Sequence, residues 1–273
     1  RIIRPSDGAV RWVYALSEAG IDGRRAGVVQ DITSRKKMED EIRHMAQHDA
    51  LTGLPNRIAF QERLRSALGD ADGGGTALSV AFIDSDGIMD VVLLRVGENL
   101  AMRGLGQCRF EKANAAWNFD GGDGWSTAYA ATWEKGNDWP TIAIGNYIDR
   151  KEEFSPWGSC TDNWLHRPAA TEDGFAPPLA LKPSYCPLSM MFTDWNRSGT
   201  PSLRVSNDRE YYEGGQEQLW RVERGLPPRL YTEAEGWRYV RIWGMGIAST
   251  DLGGEGYPDY FLTSMADNRL QVL

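Results

Sequence analysis

Cysteine and histidine are scarce, with three of each in 273 residues. Cys108, Cys160 and Cys186 lack the short paired spacing of a metal-binding framework, so buried or free thiols are the ordinary reading. The alternative is a Cys160–Cys186 disulfide stapling a Pro-rich irregular stretch, which would require an oxidising compartment. His44, His48 and His166 have no mutual spacing that points to a metal or a catalytic triad. Phosphate-cradling P-loops, dinucleotide fingerprints and serine elbows are absent, which excludes the enzyme classes built on them. No run of roughly 18 apolar residues occurs, so no membrane-spanning helix is expected. Residue 1 opens on Arg-Ile-Ile-Arg rather than on a charged and then apolar leader, and no signal peptide is visible.

Acidic residues and tryptophan are present but unevenly distributed. Residues 1–83 carry 12 Lys+Arg against 11 Asp+Glu, while residues 84–273 carry 18 against 27. Trp12 alone precedes this boundary, and the other ten tryptophans follow it. An acidic, Trp-rich second part excludes nucleic acid as the expected partner and favours cations or neutral, sugar-like ligands. Most of those tryptophans should pack cores, with one or two left as a stacking platform for a sugar ring.

Turn chemistry predicts antiparallel strands around Arg11–Leu16 and Ala26–Asp31, after Asp7-Gly8 and Asp22-Gly23. Asp31-Ile32-Thr33 then caps a polar helix over residues 34–48. Its Met38, Ile42 and Met45 form a narrow apolar stripe, suited to a homodimer or to ordinary core packing. Arg4-Pro5-x-Asp7-Gly8, Arg11-Trp12-Val13 and Asp31-Ile32-Thr33-x-Arg35-Lys36 resemble the C-terminal half of a PAS sensor domain with its exit helix.

His48-Asp49-Ala50-Leu51-Thr52-Gly53-Leu54-Pro55-Asn56-Arg57 resembles the opening of a GGDEF diguanylate cyclase domain, and the strand ending Phe82-Ile83-Asp84 matches that family's first metal-binding aspartate. The resemblance implies Mg²⁺-assisted attack of a 3′-hydroxyl on the α-phosphate of GTP. The Gly-Gly-Asp-Glu-Phe hairpin of that family does not occur in this chain. Gly121-Gly122-Asp123 continues with Gly124-Trp125 and reads as an ordinary Gly-rich turn.

Beyond residue 85 the texture is short apolar runs separated by acidic, Gly- and Pro-bearing loops, an all-β repeat pattern. Aligned strand openings at Asp90, Thr141, Ser202 and Asp259 are spaced by 51, 61 and 57 residues. Such periods suit propeller blades carrying insertions. The copies, among them Pro201-Ser202-Leu203-Arg204-Val205 and Pro258-Asp259-Tyr260-Phe261-Leu262, resemble FG-GAP (VCBS-like) repeats of the cartilage-acidic-protein type. That family's loop places oxygen ligands for Ca²⁺ at positions 1, 3, 5 and 9 with Gly at 6.

Three partial copies of the loop are present. They use Asp84, Asp86 and Asp90, then Asp194, Asn196 and Ser198, then Asp251, Glu255 and Asp259. Each lacks at least one ligand, so the expected Ca²⁺ affinity is weak, and a turn held by Asx hydrogen bonds is the alternative for each.

The sequence therefore predicts a mixed architecture: a small α+β signalling fragment followed by a larger all-β, propeller-like region forming an incomplete propeller. The expected divisions are 1–33 (partial PAS sheet), 34–48 (linker helix), 49–85 (truncated GGDEF segment) and 86–273 (repeats). The expected function is non-catalytic recognition of a protein or glycan ligand with calcium support. The alternatives are a PAS-regulated diguanylate cyclase with a divergent C-terminal half, using magnesium, and a secreted lectin-like binder. Compartment is divided in the same way: the first part suggests the cytoplasm, the second a secreted or cell-surface protein.

Overall fold

The computed structural model describes residues 2–3, 10–19, 25–47, 56, 59, 62, 77–84, 86–150, 152, 159–171, 173–209 and 217–272. The chain divides into two compact units, Arg1–Ser66 and Ala67–Leu273.

In the first unit β1 (Ile2–Ile3) pairs with β2 (Val10–Arg11), and β3 (Val13–Ala19) pairs antiparallel with β4 (Arg25–Asp31) in continuous register from Val13 opposite Asp31 to Ala19 opposite Arg25. Tyr14, Leu16, Val28 and Val29 of this hairpin are exposed. Helix α1 spans Thr33–Gln47, within a residue of the expected helix. Its start is fixed by three hydrogen bonds. Asp31 Oδ1 accepts from Thr33 N at 2.9 Å, Trp12 N donates to Thr33 Oγ1 at 2.9 Å, and Ile32 N donates to Trp12 O at 2.8 Å. Met38 of the apolar stripe is exposed; the side chains of Ile42 and Met45 lie outside the described residues. Asn56 closes the helix at its other end, donating from N to Gln47 O and from Nδ2 to Ala46 O, each at 2.8 Å. Its Oδ1 accepts from Ala59 N at 3.1 Å, so one side chain ends α1 and caps the turn that follows.

The second unit is a succession of antiparallel meanders. β5 (Ala77–Asp84), β6 (Met89–Arg95), β7 (Leu100–Gly104) and β8 (Phe110–Lys112) form the first sheet in that order. The second holds β9 (Ser126–Thr132), β10 (Thr141–Asn146), β11 (Asn163–His166) and β12 (Leu179–Leu181). The third holds β13 (Pro187–Thr193), β14 (Ser202–Asn207), β15 (Gln218–Arg221) and β16 (Arg229–Leu230). β17 (Gly244–Thr250), β18 (Asp259–Ser264) and β19 (Arg269–Gln271) form the fourth. The first strands of successive sheets are neighbours, β5 beside β9, β9 beside β13 and β13 beside β17.

The second strand of each sheet shows why runs of apolar residues were needed. Successive side chains point to opposite faces, and in β10 Ile142 and Ile144 enter the core shared with the first sheet while Ala143 enters the core shared with the third. In β14 Leu203 and Val205 face the second sheet, and the Arg204 guanidinium lies over the rings of Trp237 and of Tyr260 in β18. In β18 Tyr260 and Leu262 face the third sheet, while Phe261 remains exposed. Three cores thus alternate with four sheets, and no closed barrel forms among the described strands. Trp117, Trp139, Trp195, Trp220 and Trp237, five of the ten late tryptophans, are buried in these cores, whereas Trp133 is exposed.

The architecture is largely antiparallel β with one α-helix among the described residues. The sequence boundary expected at 85/86 falls inside the β5–β6 hairpin. There Ile83 pairs with Asp90 and Asp84 with Met89, so the strand read as the end of a cyclase segment is an outer strand of the first sheet.

Candidate functional site

The four aligned openings Asp90, Thr141, Ser202 and Asp259 all fall at the start of the second strand of a sheet, and all are buried. Asp90 Oδ1 accepts from Gly104 N at 2.8 Å, Thr141 Oγ1 donates to Glu134 Oε1 at 2.6 Å, and Asp259 Oδ2 accepts from Leu252 N at 2.8 Å. These groups tie each strand opening to the neighbouring chain.

Of the proposed cation-loop residues, Asp86, Asp194, Asn196, Ser198, Asp251 and Glu255 occupy the connections between first and second strands, whereas Asp84 ends β5 and Asp90 and Asp259 open second strands. Asp86 Oδ1 accepts from Ile88 N at 3.0 Å, with Gly87 at φ 85°, and its Oδ2 lies 3.6 Å from Arg103. Asp194 accepts from Ser198 N at 2.8 Å and from Gly199 N at 2.9 Å. Asp251 accepts in the same way from Glu255 N at 3.0 Å and Gly256 N at 2.7 Å. Asn196, Ser198 and Glu255 are exposed. The side chain of Asp84 lies outside the described residues. The first aspartate of the two later loops therefore folds its own loop by Asx hydrogen bonds. Among the described residues no three His, Cys, Asp or Glu side chains gather as a metal site.

Sequence reasoning missed a second recurrent device at the opposite end of the same strands. The last N–H of the second strand donates to a side-chain oxygen just before, or at the start of, the third. The four bonds are Arg95 N to Asn99 Oδ1 at 3.1 Å, Asn146 N to Asn163 Oδ1 at 2.9 Å, Asn207 N to Glu217 Oε1 at 2.9 Å and Ser264 N to Asn268 Oδ1 at 3.0 Å. The connections between these strands differ in length, and this concealed the repeat. The only signal was an Asn or Glu at the opening of each third strand.

In the first two sheets these caps join. Asn99 Nδ2 donates to Ser126 Oγ at 2.8 Å, and Ser126 Oγ donates to Asn146 Oδ1 at 2.7 Å. Asn99 and Asn146 of this buried polar chain line a cleft of about 660 Å³, walled also by residues 120–124, by Asp149, Glu152 and residues 159–162, and by Trp164 and His166 of β11. Gly121 is required in that wall because a Cβ there would lie 2.2 Å from Asn99 O. The Cys160 and Cys186 sulfurs are bonded at 2.00 Å, fastening the second wall to the chain entering the third sheet. His166 is buried against Phe119 and Phe175, and burial pushes its imidazole down to about 4 although Asp120 opposes the shift. It stays neutral at neutral pH.

Fold and site together define an antiparallel meander protein with an acidic cleft at one end of its second sheet. Residues 46–89 match the family described as diguanylate cyclase, GGDEF domain. Among curated relatives, 109 residues are 42% identical to diguanylate cyclase TpbB of Pseudomonas aeruginosa, covering 36% of this chain and 24% of that protein. Over 85 residues the chain is 38% identical to the probable diguanylate cyclase DgcE of Escherichia coli, covering 30% of this chain and 8% of that protein. An uncharacterized signaling protein of Caulobacter vibrioides is 43% identical over 58 residues, 21% of this chain and 7% of that protein. The chain thus spans between 7% and 24% of the length of these relatives.

These matches correct one expectation: a chain with no enzymatic activity is contradicted by a GGDEF match and by relatives that are diguanylate cyclases, which point to an enzyme. The inference from the missing Gly-Gly-Asp-Glu-Phe hairpin gave one motif too much weight against a whole matched segment. Among the described residues, no helix is long and apolar enough to cross a membrane.

Proposed function

We propose that the chain is a cyclic di-GMP signalling module in which residues 46–89 supply the cyclase-derived part, acting on GTP. The match of that segment to the GGDEF family, together with relatives named as diguanylate cyclases, carries the reading. The hairpin and helix α1 before it, resembling a PAS sheet and its exit helix, would be the sensor connection. Asn56 belongs to the matched segment and closes α1, so the two are hydrogen-bonded within the first unit. The test is incubation of the full chain with GTP and Mg²⁺, with products separated and identified by mass spectrometry. Cyclic dinucleotide that disappears in Asp84→Asn is the expected result. Intact GTP together with no detectable GTP binding overturns the reading.

A second role, recognition by the β region, is favoured by one observation: three four-stranded meanders and a three-stranded one with neighbouring first strands, the arrangement of propeller blades. In this reading the sheets hold a protein or glycan ligand, with calcium at the loops of Asp194 and Asp251. A Ca²⁺-dependent rise in melting temperature with binding on a glycan array supports it, and melting curves indifferent to both Ca²⁺ and EGTA count against it.

A further inference from the structure

The fourth sheet carries a surface that neither role uses. Two residues beyond each aligned strand opening stand Val92, Ala143, Arg204 and Phe261, the central members of equivalent cross-strand rows. Val92 pairs with Ala101, Ala143 with Ala130 and Leu165, Arg204 with Met191 and Leu219, and Phe261 with Ala248 and Leu270. Residues opposite each other in antiparallel strands point to the same side. Each row therefore belongs to one face of its sheet.

In the first three sheets that face is one wall of a core. Val92 and Ala101 lie in the core shared with the second sheet, and Ala130, Ala143 and Leu165 in the core shared with the third. Met191 and Leu219 pack against Tyr260 and Leu262 of the fourth sheet, and the Arg204 guanidinium lies over the Tyr260 ring. Val92, Ala143 and Arg204 are accordingly 0% exposed. In the fourth sheet the row is open: Phe261 is 45% and Leu270 55% exposed, and Ala248 is exposed as well.

The three counterparts show what covers such a row, because each is covered by another antiparallel sheet laid face on face. The far face of the first sheet is not available for this. Val91, Leu93, Leu100 and Met102 lie on the side of that sheet opposite Val92, and all four are buried. Head-to-tail stacking of copies, fourth sheet on first, is closed off for the same reason. What remains is a two-fold contact in which the fourth sheet meets the same sheet of a second copy.

Charge permits that contact. The charged residues of β17, β18 and β19 are Asp259 and Arg269. Asp259 is buried and accepts from Leu252 N, and Arg269 stands opposite Leu262, on the inner side of the sheet. An uncharged face meets its own copy without like-charge repulsion.

We propose that the chain forms a two-fold dimer in which the Ala248–Phe261–Leu270 row of each copy covers that of the other. The contact stands independently of the cyclase reading and of any pairing through α1. Three strands of about six residues present a face of roughly 14 by 20 Å at ordinary strand spacing. That is smaller than a standard interface, so dissociation constants on the order of 10–100 µM are expected.

The test is sedimentation velocity of the full chain from about 5 to 200 µM, a range that brackets that affinity. A sedimentation coefficient that rises towards a dimer and falls again on dilution is expected. Phe261→Lys and, separately, Leu270→Lys bring like charges together across the two-fold axis, and each should weaken association about tenfold or more. Both positions are exposed in the single chain, so an unchanged urea midpoint verifies the fold of each variant. Met38→Lys, on the exposed stripe of α1, should leave association unchanged. A single monomeric species throughout the range, undiminished association in both Phe261→Lys and Leu270→Lys, or an equal loss in Met38→Lys overturns the proposal.

Discussion

Ile83 and Asp90 stand opposite each other in the β5–β6 hairpin, and both are buried, at 2% and 0% exposure. One belongs to a strand that reads as the end of a cyclase segment, the other to the first repeat of the β region. Their pairing joins two sequence textures in one sheet.

Asp90 acts here as a structural acceptor for Gly104 N. Asp90→Ala should lower stability by about 1–3 kcal/mol, the cost of a buried donor losing its partner. Urea unfolding followed by tryptophan fluorescence measures it. An equal loss in parent and variant on adding EGTA would show that no cation at Asp90 contributes.

His166 predicts acid sensitivity. Its folded-state value near 4 lies below the unfolded value of 6.5, so between these pH values the unfolded chain binds the extra proton. The neutral form's contribution is present above pH 6.5 and is lost as pH falls towards 4. The full loss is on the order of 3 kcal/mol. His166→Gln should flatten this part of the curve, seen as the difference between denaturation free energies at pH 7 and pH 4.5.

The Cys160–Cys186 bond closes 26 residues. Restricting the unfolded chain over such a loop is worth about 3 kcal/mol in the chain-entropy model. Cys160→Ser should therefore lower the urea midpoint without changing the far-UV spectrum, and dithiothreitol should do the same to the parent. Mass spectrometry of non-reduced peptides should find the linked pair, with Cys108 as the free thiol.

The strand-end caps predict a graded effect. Asn163→Ala removes the acceptor of Asn146 N in a buried setting and should cost about 1–3 kcal/mol. Asn268→Ala exposes Ser264 N to water, since Asn268 is exposed, and should cost less than about 0.5 kcal/mol. Equal losses at both positions would show that burial does not set the contribution of this device.

Much of the fold was legible because its signals are local. The short apolar runs and the periods between Asp90, Thr141, Ser202 and Asp259 placed every second strand of the β region. The cap at Asp31–Thr33 placed α1. The cleft was not legible, because its walls come from residues 120–124, from Asp149, Glu152 and residues 159–162, and from Trp164 and His166, held together by hydrogen bonds between sheets. The aspartates that were singled out lie at the other end of these strands. Aspartate followed by glycine signals a tight turn equally well whether the carboxylate meets a cation or the loop's own amides. At Asp194 and Asp251 the amides are within hydrogen-bond reach.

The sequence by itself determined the chain's division in texture, its β-rich second part and the similarity of residues 46–89 to the GGDEF family, because patterning, turn residues and segment identity are read along the chain. Tertiary structure alone decided that β5 joins the first sheet, that His166 remains neutral, and that five scattered carboxylates share one cleft. Those outcomes depend on burial and on hydrogen bonds between residues far apart in sequence. Asn99 reaching Ser126 is of that kind, 27 positions on and in another sheet.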